Sequence, residues 1–404
     1  MTDTAVDAVA DVRARVRDLL AAHDPASTPP LDFLRARFDA GLAWVHYPAG
    51  LGGVGAPRAL QAVVDAELAA AGAPSNDPRK IGIGLGMAAP TIRAFGTPEQ
   101  QQRWLRPLFT GEEVWCQLFS EPGAGSDLAG LATRAVLQPD GDTWVVDGQK
   151  VWTSNAHSAR WAILVARHDP TLVKHAGLTY FVCDMTAPGV DVRPLRQITG
   201  EAEFNEVWLT GVRIPDAHRL GPVGAGWKVA QATLMNERIA IGGSAAPRES
   251  GMIGVSARLW RERPDLRTPD LSDRLLTLWV EAEVNRITGE RLRQQLAAGQ
   301  PGPEGSANKL AFARLSQAIS GLEVELRGEE GLAYDDWSLV RPDHVDFTGE
   351  TTGRGVGYRY LRAKGNSIEG GTSEILRNVV AERVLGLPAE PRTDTTVAWK
   401  DLPR

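Results

Sequence analysis

One candidate for acid–base chemistry is Glu237, in Asn236-Glu237-Arg238. Ala230, Leu234, Glu237 and Ile241 are spaced i, i+4, i+7 and i+11, so a helix would carry them on one face. A carboxylate within an apolar stripe is costly to bury charged, and burial raises its pKa toward that of a general base. A structural ion pair with a nearby arginine is the plainer alternative. Glu369-Gly370-Gly371-Thr372-Ser373-Glu374 precedes the last strong helical pattern. Free N–H groups there could hold a phosphate, or Thr372 could simply cap the helix. In Ser120-Glu121-Pro122-Gly123-Ala124-Gly125-Ser126-Asp127, small residues let the backbone approach a ligand closely; an ordinary turn has the same composition. Gln149-Lys150-Val151-Trp152-Thr153-Ser154-Asn155 reads as strand, with Trp152 and Ser154 on one face. A ring and a hydroxyl together could hold a planar cofactor; a Trp in the core is the alternative. Gly50-Leu51-Gly52-Gly53-Val54-Gly55 matches GxGxxG, but it follows Pro48-Ala49 rather than a long strand, and no second strand ends in an acid further on. It reads as a tight turn.

Three zones must position these residues. Residues 1–113 are helical in period, with apolar spacing over 6–22 and 59–71 and a helix start after Thr97-Pro98. Residues 114–222 are strand-like, with runs over 143–146 and 150–153 joined in a hairpin around Asp147-Gly148. Pro139-Asp140-Gly141 marks another turn, and further runs follow at 161–166, 178–183, 190–193 and 206–209. Residues 223–388 return to helix. The segment 271–298 is amphipathic, with Leu275, Leu278, Trp279, Ala282, Ile287, Leu292 and Leu296 along one side, and 307–326 is another helix. Residues 328–360 read as loop, and 389–404 as a flexible, proline-rich tail. The order implies an α+β chain: helices, a small barrel or sandwich, then a helical bundle.

Composition excludes several classes. With Lys plus Arg at 44 and Asp plus Glu at 50, the net charge is −6, against a nucleic-acid binder. The first residues lack the apolar segment of a signal peptide, and no run is long enough to span a membrane. Cys116 and Cys183 cannot build a disulfide framework or a zinc site by themselves. A cytoplasmic protein without a structural metal is expected.

Taken together, these segments resemble the acyl-CoA dehydrogenase family over about residues 44–388. The strongest pieces are GTPEQQQRWLRPLFTGE (96–112), CQLFSEPGAGSDLAGLATRA (116–135), DGQKVWTSNA (147–156), MNERIAIGG (235–243) and GGTSEILRNVVAERVLGLP (370–388), in the family's order and spacing. The pattern looks most like actinobacterial-type members. The resemblance implies an N-terminal helical domain (1–113), a middle β-barrel domain (114–222) and a C-terminal four-helix bundle (223–388), with FAD between barrel and bundle. It places Gln117, Phe119 and Ser120 along the flavin, Trp152 against its ring system and Ser154 toward the N5 edge. Thr372 and Glu374 match cofactor-contacting positions, and Ser126 matches a contact to the CoA portion of the substrate.

The implied reaction is α,β-desaturation of an acyl-CoA thioester. A carboxylate removes the α-proton, and the β-hydrogen passes as hydride to flavin N5. Many members carry the base immediately before the Gly-Thr of the last motif, where this chain has Gly370. Others carry it in a Glu-Arg pair on a bundle helix, which Glu237-Arg238 matches. Arg238 then joins the substrate side, and Glu369, one residue out of register, is the second candidate. Two segments depart from the family. Trp260-Arg261-Glu262-Arg263-Pro264 replaces an Arg-x-x-Phe-Gly segment, and Arg327-Gly328-Glu329-Glu330-Gly331 blurs a Gln-rich Gly-Gly segment. Both normally hold the adenosine end of FAD across a subunit interface, and some members with such losses form mixed tetramers. The expected partners are an acyl-CoA, an electron-transfer flavoprotein or similar acceptor, and further copies of this or a related chain. A non-catalytic partner subunit and a flavin oxidase or monooxygenase are the alternatives.

Overall fold

The computed structural model describes residues 3–76, 78–242, 247–297, 302–334, 336–342, 354–392 and 394–403. The chain opens with α1 (Asp3–Ala22), α2 (Pro30–Asp39), α3 (Gln61–Ala70), α4 (Pro78–Ile83), α5 (Ala89–Phe95) and α6 (Pro98–Thr110). The start of α6 is written in its sequence. The Thr97 hydroxyl accepts from Gln100 N–H, the Gln100 side chain accepts from Thr97 N–H, and Pro98 follows the cap. Gly111, at φ 77°, ends it in the left-handed region. Gly50, Gly52 and Gly55 all have positive φ in a loop closed by Trp44 N–H to Gly52 O and Gly55 N–H to Tyr47 O. A Cβ on Gly53 would stand 2.1 Å from Tyr47 O, so these glycines serve a tight turn.

The middle of the chain forms β1 (Trp115–Leu118), β2 (Arg134–Leu137), β3 (Thr143–Ser154), β4 (Trp161–Arg167), β5 (Leu178–Asp184), β6 (Val190–Pro194) and β7 (Phe204–Pro215). These make one seven-stranded sheet in the order β1-β4-β2-β3-β7-β6, with β5 also on β4. It curls as a half-barrel rather than closing: among the described residues, β5 pairs only with β4 and β6 only with β7. Its central strand shows why. Trp161, Ile163 and Val165 of β4 pack with the N-terminal helices, whereas Ala162, Leu164 and Ala166 pack inside the curl. With both faces covered, β4 reads as a continuous apolar run rather than an alternating one.

The expected hairpin at Asp147-Gly148 is absent; β3 runs straight through it. A Cβ at Gly148 would lie 2.4 Å from Thr133 Oγ1, so close approach of the segment leading into β2 explains this glycine. The turn into β3 is instead at Pro139-Asp140-Gly141, where the Asp140 carboxylate accepts from Asp142 and Thr143 N–H.

The chain continues with α7 (Gly226–Gly242), α8 (Met252–Glu262), α9 (Pro269–Ala297), α10 (Gly305–Arg327), α11 (Val356–Ala363) and α12 (Ser373–Val379). Leu275 and Leu278 of α9 are buried with Leu315, Ile319 and Leu322 of α10. Ile287, expected on that side, is exposed. Residues 394–402 are not frayed. Trp399 N–H donates to Leu172 O, Lys400 N–H to Pro170 O, and Ala398 bridges Val173. Their partners come from the middle domain, beyond the reach of any local pattern.

Candidate active site

The site begins where β1 leaves the sheet. Gln117 is half-buried on β1, in register with Ile163. Phe119 is buried edge-on to Tyr180, with ring centres 5.8 Å apart. Ser120 O accepts from Val151 N–H at 2.9 Å, which ties this exit to β3. The neighbouring Lys150 is wholly buried. Its ammonium donates to Phe119 O at 2.9 Å and to Glu121 Oε1 at 2.8 Å. Glu121 also accepts from Ala132 and Thr133 N–H, at 2.7 and 2.9 Å. Burial pushes the Glu121 carboxyl up, but the Lys150 charge and these donors outweigh it and hold it below the usual range. Burial pulls the Lys150 ammonium down, against the opposing pull of Glu121. This pair was missed in the sequence, where a lone lysine reads as solvated. Its signal was an inward strand position two residues before Trp152. Ser126 sits exposed on the turn that follows.

Trp152 is neither core nor on a common face with Ser154 by simple alternation. Its φ is +60°, and the β3–β7 register shifts between Lys150 and Thr153. A bulky residue in the left-handed region is an outlier that marks local constraint. Its side chain is 57% exposed, with one contact edge-on to Phe204 at 5.9 Å. Ser154 is half-buried and pairs in register with Phe204.

Phe204 links this ring to the second glycine motif. The Arg362 guanidinium stands over Phe204 at 5.9 Å and forms two hydrogen bonds to Glu369, at 3.2 and 2.9 Å. Asn366 donates to the same carboxylate at 2.6 Å. Glu369 is thus held in an ion pair. Gly370 and Gly371 follow at φ 62° and 99°, where a side chain would be strained. Lys309 donates to the Gly371 carbonyl at 3.0 Å and to Asn366 O at 2.6 Å. Thr372 takes the plain capping role, its hydroxyl accepting from Ile375 N–H at 3.2 Å. Glu374 is exposed one step into α12, 3.4 Å from Arg377.

Glu237 and Arg238 lie on α7, and their side chains fall outside the described residues. One turn earlier, the buried Thr233 hydroxyl meets Thr91 Oγ1 at 2.9 Å and Tyr180 Oη at 3.0 Å. This small cluster joins α5, β5 and α7. In the two departing segments, Arg261 is engaged by Glu249, Arg263 by Asp265 and Arg327 by Glu323. The described residues include no group of three His, Cys, Asp or Glu side chains placed to hold a metal ion, and no helix among them is long and apolar enough to cross a membrane.

An open indole on constrained backbone is a surface against which a flat ring can stack. The three-layer order of helices, curled sheet and helices defines the class. The chain belongs to the acyl-CoA dehydrogenase family, FAD-dependent oxidoreductases acting on CH–CH bonds. The family's N-terminal, middle and C-terminal domain descriptions match residues 3–112, 116–212 and 224–385. Acyl-CoA dehydrogenase FadE34 of Mycobacterium tuberculosis is 42% identical over 87% of this chain, which spans 45% of that protein's length. Acyl-CoA dehydrogenase IpdE1 of the same organism is 37% identical, over 87% of this chain and 86% of its own length. Among solved structures, the ChsE4–ChsE5 complex from Mycobacterium tuberculosis superposes with a TM-score of 0.68 at 25% identity, covering 96% of this chain and 99% of that one.

Proposed function

We propose that this chain desaturates an acyl-CoA thioester between its α and β carbons, with FAD bound beside Trp152. The observation that carries this reading is the exposed Trp152 indole, fixed at positive φ between the β1 exit and Phe204. FAD, when bound, supplies the two-electron acceptor for the β-hydride at N5. Gln117, Phe119 and Ser120 line one side of the ring, Trp152 and Ser154 another, and Thr372 and Glu374 a third. Ser126 meets the CoA portion, and Arg238 lies on the substrate side.

Glu237 is the base. An α-proton beside a thioester is weakly acidic, so the base gains from a dry setting that raises its proton affinity. Val229, Ala230 and Thr233, which precede it on α7, are all buried, which supports that setting. Electrons leave to an electron-transfer flavoprotein or a similar acceptor. The protein functions with further copies of itself or of a related chain.

The test is anaerobic titration of the purified yellow protein with a panel of acyl-CoA thioesters. One member should bleach the flavin band. In Glu237→Gln the band should remain and its bleaching should slow by about 10²–10⁴-fold. Unchanged bleaching in that variant would remove Glu237 as the base. A protein that takes up no FAD alone would favour a mixed assembly.

A further inference from the structure

We infer that residues 394–402 act as a clasp that positions the 121–133 loop, and through it the edge at which acyl-CoA binds near Ser126. The inference rests on the acyl-CoA reading above. Its basis is a run of three consecutive carbonyls, each with a donor. Arg167 Nη2 donates to Ala129 O at 2.6 Å, Trp399 Nε1 to Gly130 O at 3.0 Å, and Arg167 Nε to Leu131 O at 2.9 Å. Arg167 is 2% exposed, and Trp399 covers it, with the guanidinium carbon 4.2 Å from the indole centre. A third guanidinium bond, from Nη1 at 3.2 Å, goes to Lys174 O.

Lys174 is a second fastening. Its ammonium, on a side chain only 6% exposed, bonds Asp127 at 2.7 Å and pairs with Asp394. Asp127 stands next to Ser126, so one end of the clasp reaches the proposed binding turn directly. The Asp394 carboxyl is held well below the usual range, first by the Lys174 hydrogen bond and then by that of Arg392. The 121–133 loop is therefore closed at its base by Glu121, which pairs with Lys150 and accepts from Ala132 and Thr133 N–H, and is held along 129–131 by Arg167 and Trp399. Its exposed tip at Gly125 and Ser126 lies between Glu121 and that stretch. Without the indole, water reaches the Arg167 face and the Gly130 carbonyl loses its donor. The 129–131 stretch then loosens while Glu121 still closes the base of the loop.

Trp399 is accordingly a positioning residue, and Trp399→Ala and Trp399→Phe in the FAD-loaded enzyme test it. Amide hydrogen exchange over 121–133 should quicken in Trp399→Ala. KM for acyl-CoA should rise about fivefold or more with kcat within about twofold, the pattern of lost binding without lost chemistry. Trp399→Phe keeps a ring over Arg167 and should fall between wild type and Trp399→Ala. Unchanged exchange over 121–133 would overturn the clasp. So would quickened exchange with an unmoved acyl-CoA KM, or a kcat that falls as far as KM rises. Should no acyl-CoA bleach even the wild type, the activity reading fails, and with it the binding role of the loop. The exchange data still report whether Trp399 holds 121–133.

Discussion

Lys150 places an ammonium inside the middle domain, where among the described residues Glu121 and Phe119 O answer it. Removing one member of such a pair strands the other's charge, which costs about 3–5 kcal/mol. Lys150→Met should lower stability to urea by that order. Adding Glu121→Gln to it should cost less than the two single changes summed, because the stranded charge goes too. The pH dependence follows from Glu121, whose carboxyl is held below its ordinary 4.5. A depressed carboxyl contributes stability that is fully present above its unfolded value and is lost as pH falls through the lower folded one. The gap in thermal midpoint between wild type and Glu121→Gln should therefore be widest near neutrality and narrow below about pH 4. A gap that widened in acid would contradict this assignment. At this scale the sequence was only half legible. Trp152 could be singled out by its type and motif, but its positive φ could not, because residue type and period carry no sign of backbone strain. Lys150 was passed over in the same motif because lysine is so rarely buried.

At the scale of elements, α7 hangs from a shared hydroxyl. Thr233 Oγ1 contacts Thr91 Oγ1 and Tyr180 Oη while bonding back to Val229 O at 3.0 Å. Each lost bond of this kind costs about 0.5–1.5 kcal/mol. Thr233→Val and Tyr180→Phe should each destabilise by that amount. Together they should fall short of the sum, since both break the same contact; strict additivity in urea melts would mean that the cluster is not shared. The placement of such elements was largely readable. Helix, sheet and helix zones follow from a change of hydrophobic period, and the cap of α6 follows from Thr97, Pro98 and Gln100. What failed was local reading of residues whose reason is distant. Asp147-Gly148 has turn composition, yet Gly148 is there for Thr133, and Asp147 accepts from Gly211 N–H at 2.7 Å. Residues 394–402 look like a tail because they are short, polar and flanked by Pro391 and Pro403; Trp399 finds its partners in Gly130, Leu172 and Arg167.

At the scale of the whole molecule, α9 is apolar on two sides. Leu275 and Leu278 face the bundle core, whereas Leu276, Val280, Val284 and Ile287 are 53–61% exposed. Their spacing of i, i+4, i+8 and i+11 lines them along one stripe of the same helix. This explains the failed assignment of Ile287 to the inner side: apolar residues on two sides leave no single stripe to read. A stripe of four large apolar side chains is costly in water, and we propose that another chain covers it. The proposed occupant is a second copy of this chain, as in the assembly proposed above, and a closed symmetric pair would bury the stripe against itself. Val280→Glu combined with Val284→Lys places charges in the middle of that stripe. Light scattering should then show the mass dropping toward that of one chain, with the helical circular dichroism retained. An unchanged oligomeric mass would rule out the α9 stripe as the contact. A wild type that is already a single chain, and that shifts to a larger species only with a related chain added, would assign the same stripe to a mixed assembly.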